Sequence, residues 1–147
     1  MKAQRPLLPP QTRRPSPRCE SWRIMTIHTQ EQMRLSITRP QDSSVVFVRI
    51  VGDVDLSDAK ALGVAARELL DAPGSVTYVD LGGATLMGST LVAFLMHLAD
   101  ARGRIRRPLV LCRPTPLGDR VIRITGLDMV AEVRPDLPSD WPEVAHD

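Results

Sequence analysis

Aromatic side chains make up only 3% of this 147-residue chain, so Leu, Val, Ile and Ala must fill any core it builds. Cysteine is scarce too. Cys19 lies in a Pro- and Arg-rich stretch and Cys112 beside an apolar run, so the two cannot make a disulfide framework and reduced thiols are expected. No apolar run approaches the roughly 20 residues of a bilayer span. The longest, Leu91–Leu98, already includes His97. A secretory pattern is also missing, because the basic N-terminal residues are followed by prolines rather than by an apolar segment. These absences give the expectation of a cytoplasmic chain without a membrane span. A basic body is lacking as well. The net charge of +2 conceals an N-terminal stretch with Lys2, Arg5, Arg13, Arg14, Arg18 and Arg23 against Glu20 alone, so the remainder is net acidic and argues against nucleic acid as a partner.

What is present reads as one domain. Residues 1–24, with Pro6, Pro9, Pro10, Pro15 and Pro17 among the arginines, have a composition that cannot bury apolar surface and are expected to be a disordered arm. Met25 and Met33 offer alternative starts for the domain, which is expected over 25–135, with a flexible tail over 136–147. Strands are predicted at Leu35–Thr38, Val45–Val51, Val76–Leu81, Leu109–Cys112 and Met129–Val133. Helices are predicted at Ser57–Leu70, capped by Ser57 or Asp58, at Ser89–Ala101, and at Pro116–Ile124, where proline suits the first turn. Strand–helix–strand connections return parallel, so the order implies an α/β fold: a mixed sheet of four to five strands packed with three to four helices.

The stretch from Val76 to Ala99 is the chemically richest. It reads as a buried strand, a Gly-rich loop through Gly82-Gly83, the hydroxyl pair Ser89-Thr90, and an almost wholly apolar helix. A hydroxyl at a helix start can be an N-cap, worth about 1 kcal/mol. It can also accept a phosphate, which adds about −1.5 to −2 charges at neutral pH.

Four patches of sequence, in the right order, resemble the STAS domains of anti-sigma-factor antagonists. These are Gly52-Asp53-Val54-Asp55 after a β-branched strand, Asp80-Leu81 followed by Ser89-Thr90, Pro116 with Arg120, and Gly126-Leu127. The resemblance spans roughly residues 33–135 and implies a small switch protein that works by partner switching. It implies that Ser89, with Thr90 as the fallback, accepts phosphate from a partner that is both anti-sigma factor and serine kinase. The unphosphorylated form would bind that partner and the phosphorylated form would be released. The implied contact surface comprises Gly52, Asp53, Asp55, Ser57, Gly88, Ser89, Thr90 and Leu91. The implied partner set has no direct contact with nucleic acid, no membrane span and at most a weak homodimer. Two positions depart from the pattern. Gly88 stands where the family usually has Asp, removing a fixed negative charge, and Leu91 stands where it usually has Gly, adding bulk on the side a partner would approach. The alternative is the same fold as an unphosphorylated binding module, a scaffold or the accessory domain of a transport complex.

Other constellations fall short. His28, His97 and His146 are scattered without ligands at metal spacing, and Asp53, Asp55 and Asp58 read as helix-start carboxylates rather than a metal site. No nucleophile–base–orienter set is legible, and Gly82-Gly83 lacks the Lys and Ser/Thr of a phosphate-cradling loop. Asp80 alone does not make a phospho-receiver site, which needs a further acidic pair and a lysine. The chain is therefore expected to be neither an enzyme nor a cofactor binder. The run Arg102, Arg104, Arg106 and Arg107 reads as a solvated turn.

Overall fold

The computed structural model describes residues 22–28, 33–40, 45–71, 76–104 and 108–142. A mixed six-stranded sheet in the order β1-β2-β3-β4-β5-β6 is the frame. Strand β1 is Trp22–His28, β2 Arg34–Pro40, β3 Val45–Val54, β4 Val76–Met87, β5 Leu109–Cys112 and β6 Glu132–Arg134. Strand β2 is antiparallel to both of its neighbours, β1 and β3, while β3 to β6 run parallel. Helix α1 (Ala59–Asp71) joins β3 to β4, α2 (Ser89–Arg104) joins β4 to β5, and α3 (Pro116–Thr125) leads towards β6. The sheet thus exceeds the four to five strands expected. The addition is β1, whose residues 22–24 fall inside the stretch read as arm. Its alternation was hidden beside the proline- and arginine-rich flank.

Alternation on the strands decides which face the helices cover. Leu35 and Ile37, Val46, Val48 and Ile50, Val79 and Leu81, and Leu109 and Leu111 all point into one apolar cluster. Leu62, Ala65, Ala66 and Leu69 of α1 and Leu91, Leu95, Leu98 and Ala99 of α2 close over it. Arg39 of β2 also reaches Glu68 of α1 at 2.8 Å.

The opposite face holds Phe47 and Arg49, Tyr78 and Asp80, and Val110 and Cys112, which the parallel register sets side by side. The C-terminal segment returns across it. The Trp141 ring meets Phe47 edge-on at 5.1 Å, and the Arg49 guanidinium lies 5.2 Å from the Trp141 centroid. Part of the stretch read as a loose tail therefore packs against the sheet, because an aromatic ring there has apolar area and a cation to cover.

Several expected boundaries move. The last strand is shorter than Met129–Val133, since Leu127–Met129 forms a 3-10 turn after the left-handed Gly126, whose φ is 83°. Helix α3 begins as expected, with Thr115 accepting a hydrogen bond from the Gly118 amide and Pro116 in the first turn. Arg102 is buried rather than solvated, because α2 continues to Arg104.

Candidate functional site

The segment read as a Gly-rich loop is strand. Beyond Asp80, the last residue paired with β5, β4 continues to Met87 alongside the end of β3, with Gly52 opposite Ala84, Asp53 opposite Leu86 and Val54 opposite Met87. Two irregularities in the register allow this, between Arg49 and Val51 and between Gly52 and Asp53. Gly52 takes φ 99°, a conformation other residues rarely adopt. At Gly83 a Cβ would stand 3.1 Å from Val51 Cγ2, so a larger residue would push on the Val51 side chain where the two strands approach. Turn residues in the sequence here serve a bulged strand pair, which is why they resembled a loop.

This paired extension sets two chain segments side by side. After β3, Asp55 caps the 3-10 turn Leu56–Asp58. Its Oδ1 accepts from the Ser57 amide at 2.9 Å and from the Ser57 hydroxyl at 2.6 Å, while Asp58 Oδ2 accepts from the Asp55 amide at 2.9 Å. The cap is thus Asp55 rather than Ser57 or Asp58, and the reciprocal pair is a capping box. Thr85 Oγ1 donates to Asp53 across the two strands. After β4, the Gly88 carbonyl accepts from the Val92 amide at 3.0 Å. Gly88 is therefore the N-cap of α2 and Ser89 its first helical residue, which corrects the reading of Ser89 as a cap. Glycine offers no side chain to the amides at the helix start, and the macrodipole places partial positive charge there.

Ser89 is exposed and Thr90 half-buried. Leu91 is 0% exposed and belongs to the core. It was expected on the contact surface, and helical periodicity turns it inward with Leu95 and Leu98. Its bulk fills the interior and faces no partner.

A groove of about 470 Å³ runs between α1 and α2 with Ser89 and Thr90 at one end. Leu56 flanks it at 80% exposure, Ala59, Gly63 and Ala93 keep it shallow, and His97 lies at the far side. Sequence reasoning missed this groove. Ala93 and His97 interrupt the apolar surface of α2 on one side, and Gly63 of α1, where a Cβ would meet nothing within 4 Å, sits opposite. Leu56, an apolar residue between two polar ones at a helix start, was the available signal. Gly52, Asp53, Asp55 and Ser57 come to the same end of the sheet as Gly88, Ser89 and Thr90. Among the described residues, no group of three metal-ligating side chains could hold an ion. Nor is any helix there long and apolar enough to cross a membrane.

Asp80 is a structural carboxylate. It is fully buried, and its oxygens receive Arg113 Nε at 2.8 Å, Arg113 Nη2 at 2.9 Å, Arg49 Nε at 2.8 Å and the Gly82 amide at 2.9 Å. Burial pushes its pKa up, but the hydrogen bonds from Arg113 and Gly82 and the two guanidinium charges outweigh it and hold the carboxyl below its ordinary value. The neighbouring Cys112 thiol is pushed up to about 11, chiefly by burial and then by the Asp80 charge, so it is not a nucleophile at neutral pH.

Residues 37–135 match the family described as Mlab, STAS domain, and the chain belongs to the STAS domain family. Solved structures of anti-sigma factor antagonists share its fold. One from Mycobacterium paratuberculosis is 20% identical over 83% of this chain and 91% of its own, with a TM-score of 0.59. The anti-sigma factor antagonist SpoIIAA in its unphosphorylated form is 12% identical over 80% of this chain and 90% of its own, at 0.55. The Bacillus cell fate determinant SpoIIAA in the phosphorylated form is 12% identical over 80% and 94%, at 0.54. No curated protein matches the sequence.

Proposed function

We propose that this protein is an anti-sigma-factor antagonist of the cytoplasm that binds an anti-sigma factor when unphosphorylated and is released by phosphorylation of Ser89. The carrying observation is the exposed Ser89 hydroxyl in the first turn of α2, just after its glycine cap and beside an apolar groove flanked by exposed Leu56. Within the free protein a phosphate there has company: helix-start amides and a favourable dipole. Against a docked protein the same phosphate loses water without dedicated partners, at a cost of several kcal/mol. Each 1.4 kcal/mol is a factor of ten, so one modification suffices to dissolve a micromolar complex. The protein itself needs no catalytic group, since the kinase belongs to the partner. Gly52, Asp53, Asp55, Ser57, Gly88 and Thr90 would complete the contact.

Intact-mass analysis after incubation with the anti-sigma kinase and ATP tests the assignment. One phosphate is expected on the wild type and none on Ser89→Ala. An equal gain in both would move the modification elsewhere, with Thr90→Ala the next variant. Gly88, where the resemblance expects Asp, favours a second reading as an unphosphorylated binding module. Affinity for the partner that is indifferent to Ser89→Asp would select it.

A further inference from the structure

A second cavity, of about 490 Å³, lies away from Ser89, between the ends of β5 and β6 and the start of α3. Arginines from three separate elements line it: Arg113 just after β5, Arg123 on α3 and Arg134 on β6. The geometry points to an anion-binding pocket for a phosphate-bearing small molecule.

Each guanidinium is oriented by a carboxylate. Arg113 is fixed through Nε and Nη2 on Asp80. Arg123 is held through Nε on Asp119 at 2.9 Å, and Arg134 through Nε on Glu132 at 2.5 Å. A guanidinium carries five N–H donors, so the contact through Nε leaves the terminal nitrogens of Arg123 for a ligand. Arg134, which also hydrogen-bonds Tyr78 and lies 5.8 Å from that ring's centroid, keeps its remaining donors, in the fork that suits phosphate oxygens. Arg113 is also the one described non-glycine residue with a positive φ, 46°. Its amide donates to the Arg134 carbonyl at 2.8 Å, which ties two of the three arginines together through the backbone. Pro114, Pro116 and Pro135 form stiff walls, so little chain entropy is lost when a ligand enters. Asp119 is the one carboxylate in the lining, and it sets the sign of a control: removing its charge frees Arg123 and relieves repulsion.

Titration of the purified chain with inorganic pyrophosphate, followed by calorimetry at low and at moderate salt, tests the pocket. Saturable, salt-sensitive binding is expected. Arg134→Gln and Arg123→Gln should each weaken it roughly tenfold, the loss of a charged hydrogen-bond donor. Asp119→Asn should tighten it, and Arg67→Gln on the exposed side of α1 should leave it unchanged. All three arginines are partly exposed, and thermal melts confirm that the glutamine variants are folded. A parallel arm uses phosphatidylcholine vesicles with and without phosphatidic acid. Arg134-dependent binding confined to the phosphatidic acid vesicles identifies the phosphate as a lipid headgroup rather than a free solute. Absence of binding in both arms, or binding untouched by Arg123→Gln and Arg134→Gln, overturns the assignment.

Discussion

Replacing Gly88 with aspartate restores the charge that the family pattern places beside the candidate phospho-acceptor, and its effect on stability follows from geometry already described. Gly88 occupies the N-cap of α2, its φ is not positive, and a Cβ at this position would meet nothing within 4 Å. A carboxylate there would accept from an amide of the first turn, a gain over glycine of a few tenths of a kcal/mol. Its charge at the positive end of the helix adds about 0.3–1 kcal/mol, and the stiffer unfolded chain adds about 0.4–1. The sum is about 1–2 kcal/mol, or roughly 3–6 °C in Tm for a domain of this size. Calorimetric melts of Gly88→Asp, Gly88→Asn and Gly88→Ala at neutral pH separate the contributions. Asp should gain most and Asn less, while Ala, a poor cap, should stay near wild type. Lowering the pH below about 3 should bring Asp towards Asn as the carboxylate protonates. Destabilisation by Asp, or an equal gain from Ala, would refute the placement of the cap at residue 88.

Three further outcomes are expected. Asp80→Asn leaves two guanidiniums facing a neutral group and should cost about 2–3 kcal/mol in urea titration, below the 3–5 of a wholly buried pair because both arginines are partly solvated. The folded Asp80 carboxyl titrates below its unfolded value, so its contribution is complete above about pH 4 and is lost as the pH falls through the lower folded value. The gap between wild type and Asp80→Asn should therefore narrow under acid. Gly63→Ala adds a methyl into open space on an exposed helix interior and should stabilise by about 1 kcal/mol, read from the urea midpoint. Leu56→Glu, at a side chain 80% exposed, should shift stability by no more than about 0.5 kcal/mol. It should nonetheless weaken a complex with the anti-sigma partner at least tenfold, and an unchanged affinity would remove the groove from the interface.

How far the sequence was legible depended on what each residue had to satisfy. Leu109–Cys112, buried at all four positions, was found to the residue, because a short apolar run between turn signals has few alternatives. Pro116 marked the start of α3 for the same reason, since proline belongs just inside a helix start, whereas the end was read at Ile124 and the left-handed Gly126 that closes the helix was not used. The failures share a cause. Gly82 and Gly83 read as loop because local sequence cannot show that Val51 presses on one and Arg113 on the other. Ser89 read as a cap because a glycine cap leaves no side-chain signature. Leu91 was assigned to the contact surface by the resemblance alone, whereas the apolar stripe it shares with Leu95, Leu98 and Ala99 turns it into the core. Asp80 was noticed for its place at a strand end, but its partners Arg49 and Arg113 lie 31 and 33 residues away, beyond any local pattern.

The Trp141 ring over Phe47 and Arg49 bears on where this protein ends as a working unit. The family match stops at residue 135, six positions short of that ring. A fragment trimmed to the match would bare a phenylalanine on the sheet and take the indole off the Arg49 guanidinium, leaving that cation with Asp80. Expression boundaries, fusion junctions and evolutionary comparisons drawn at 135 would thus cut through tertiary structure, and any boundary has to lie beyond Trp141 to keep that ring in place.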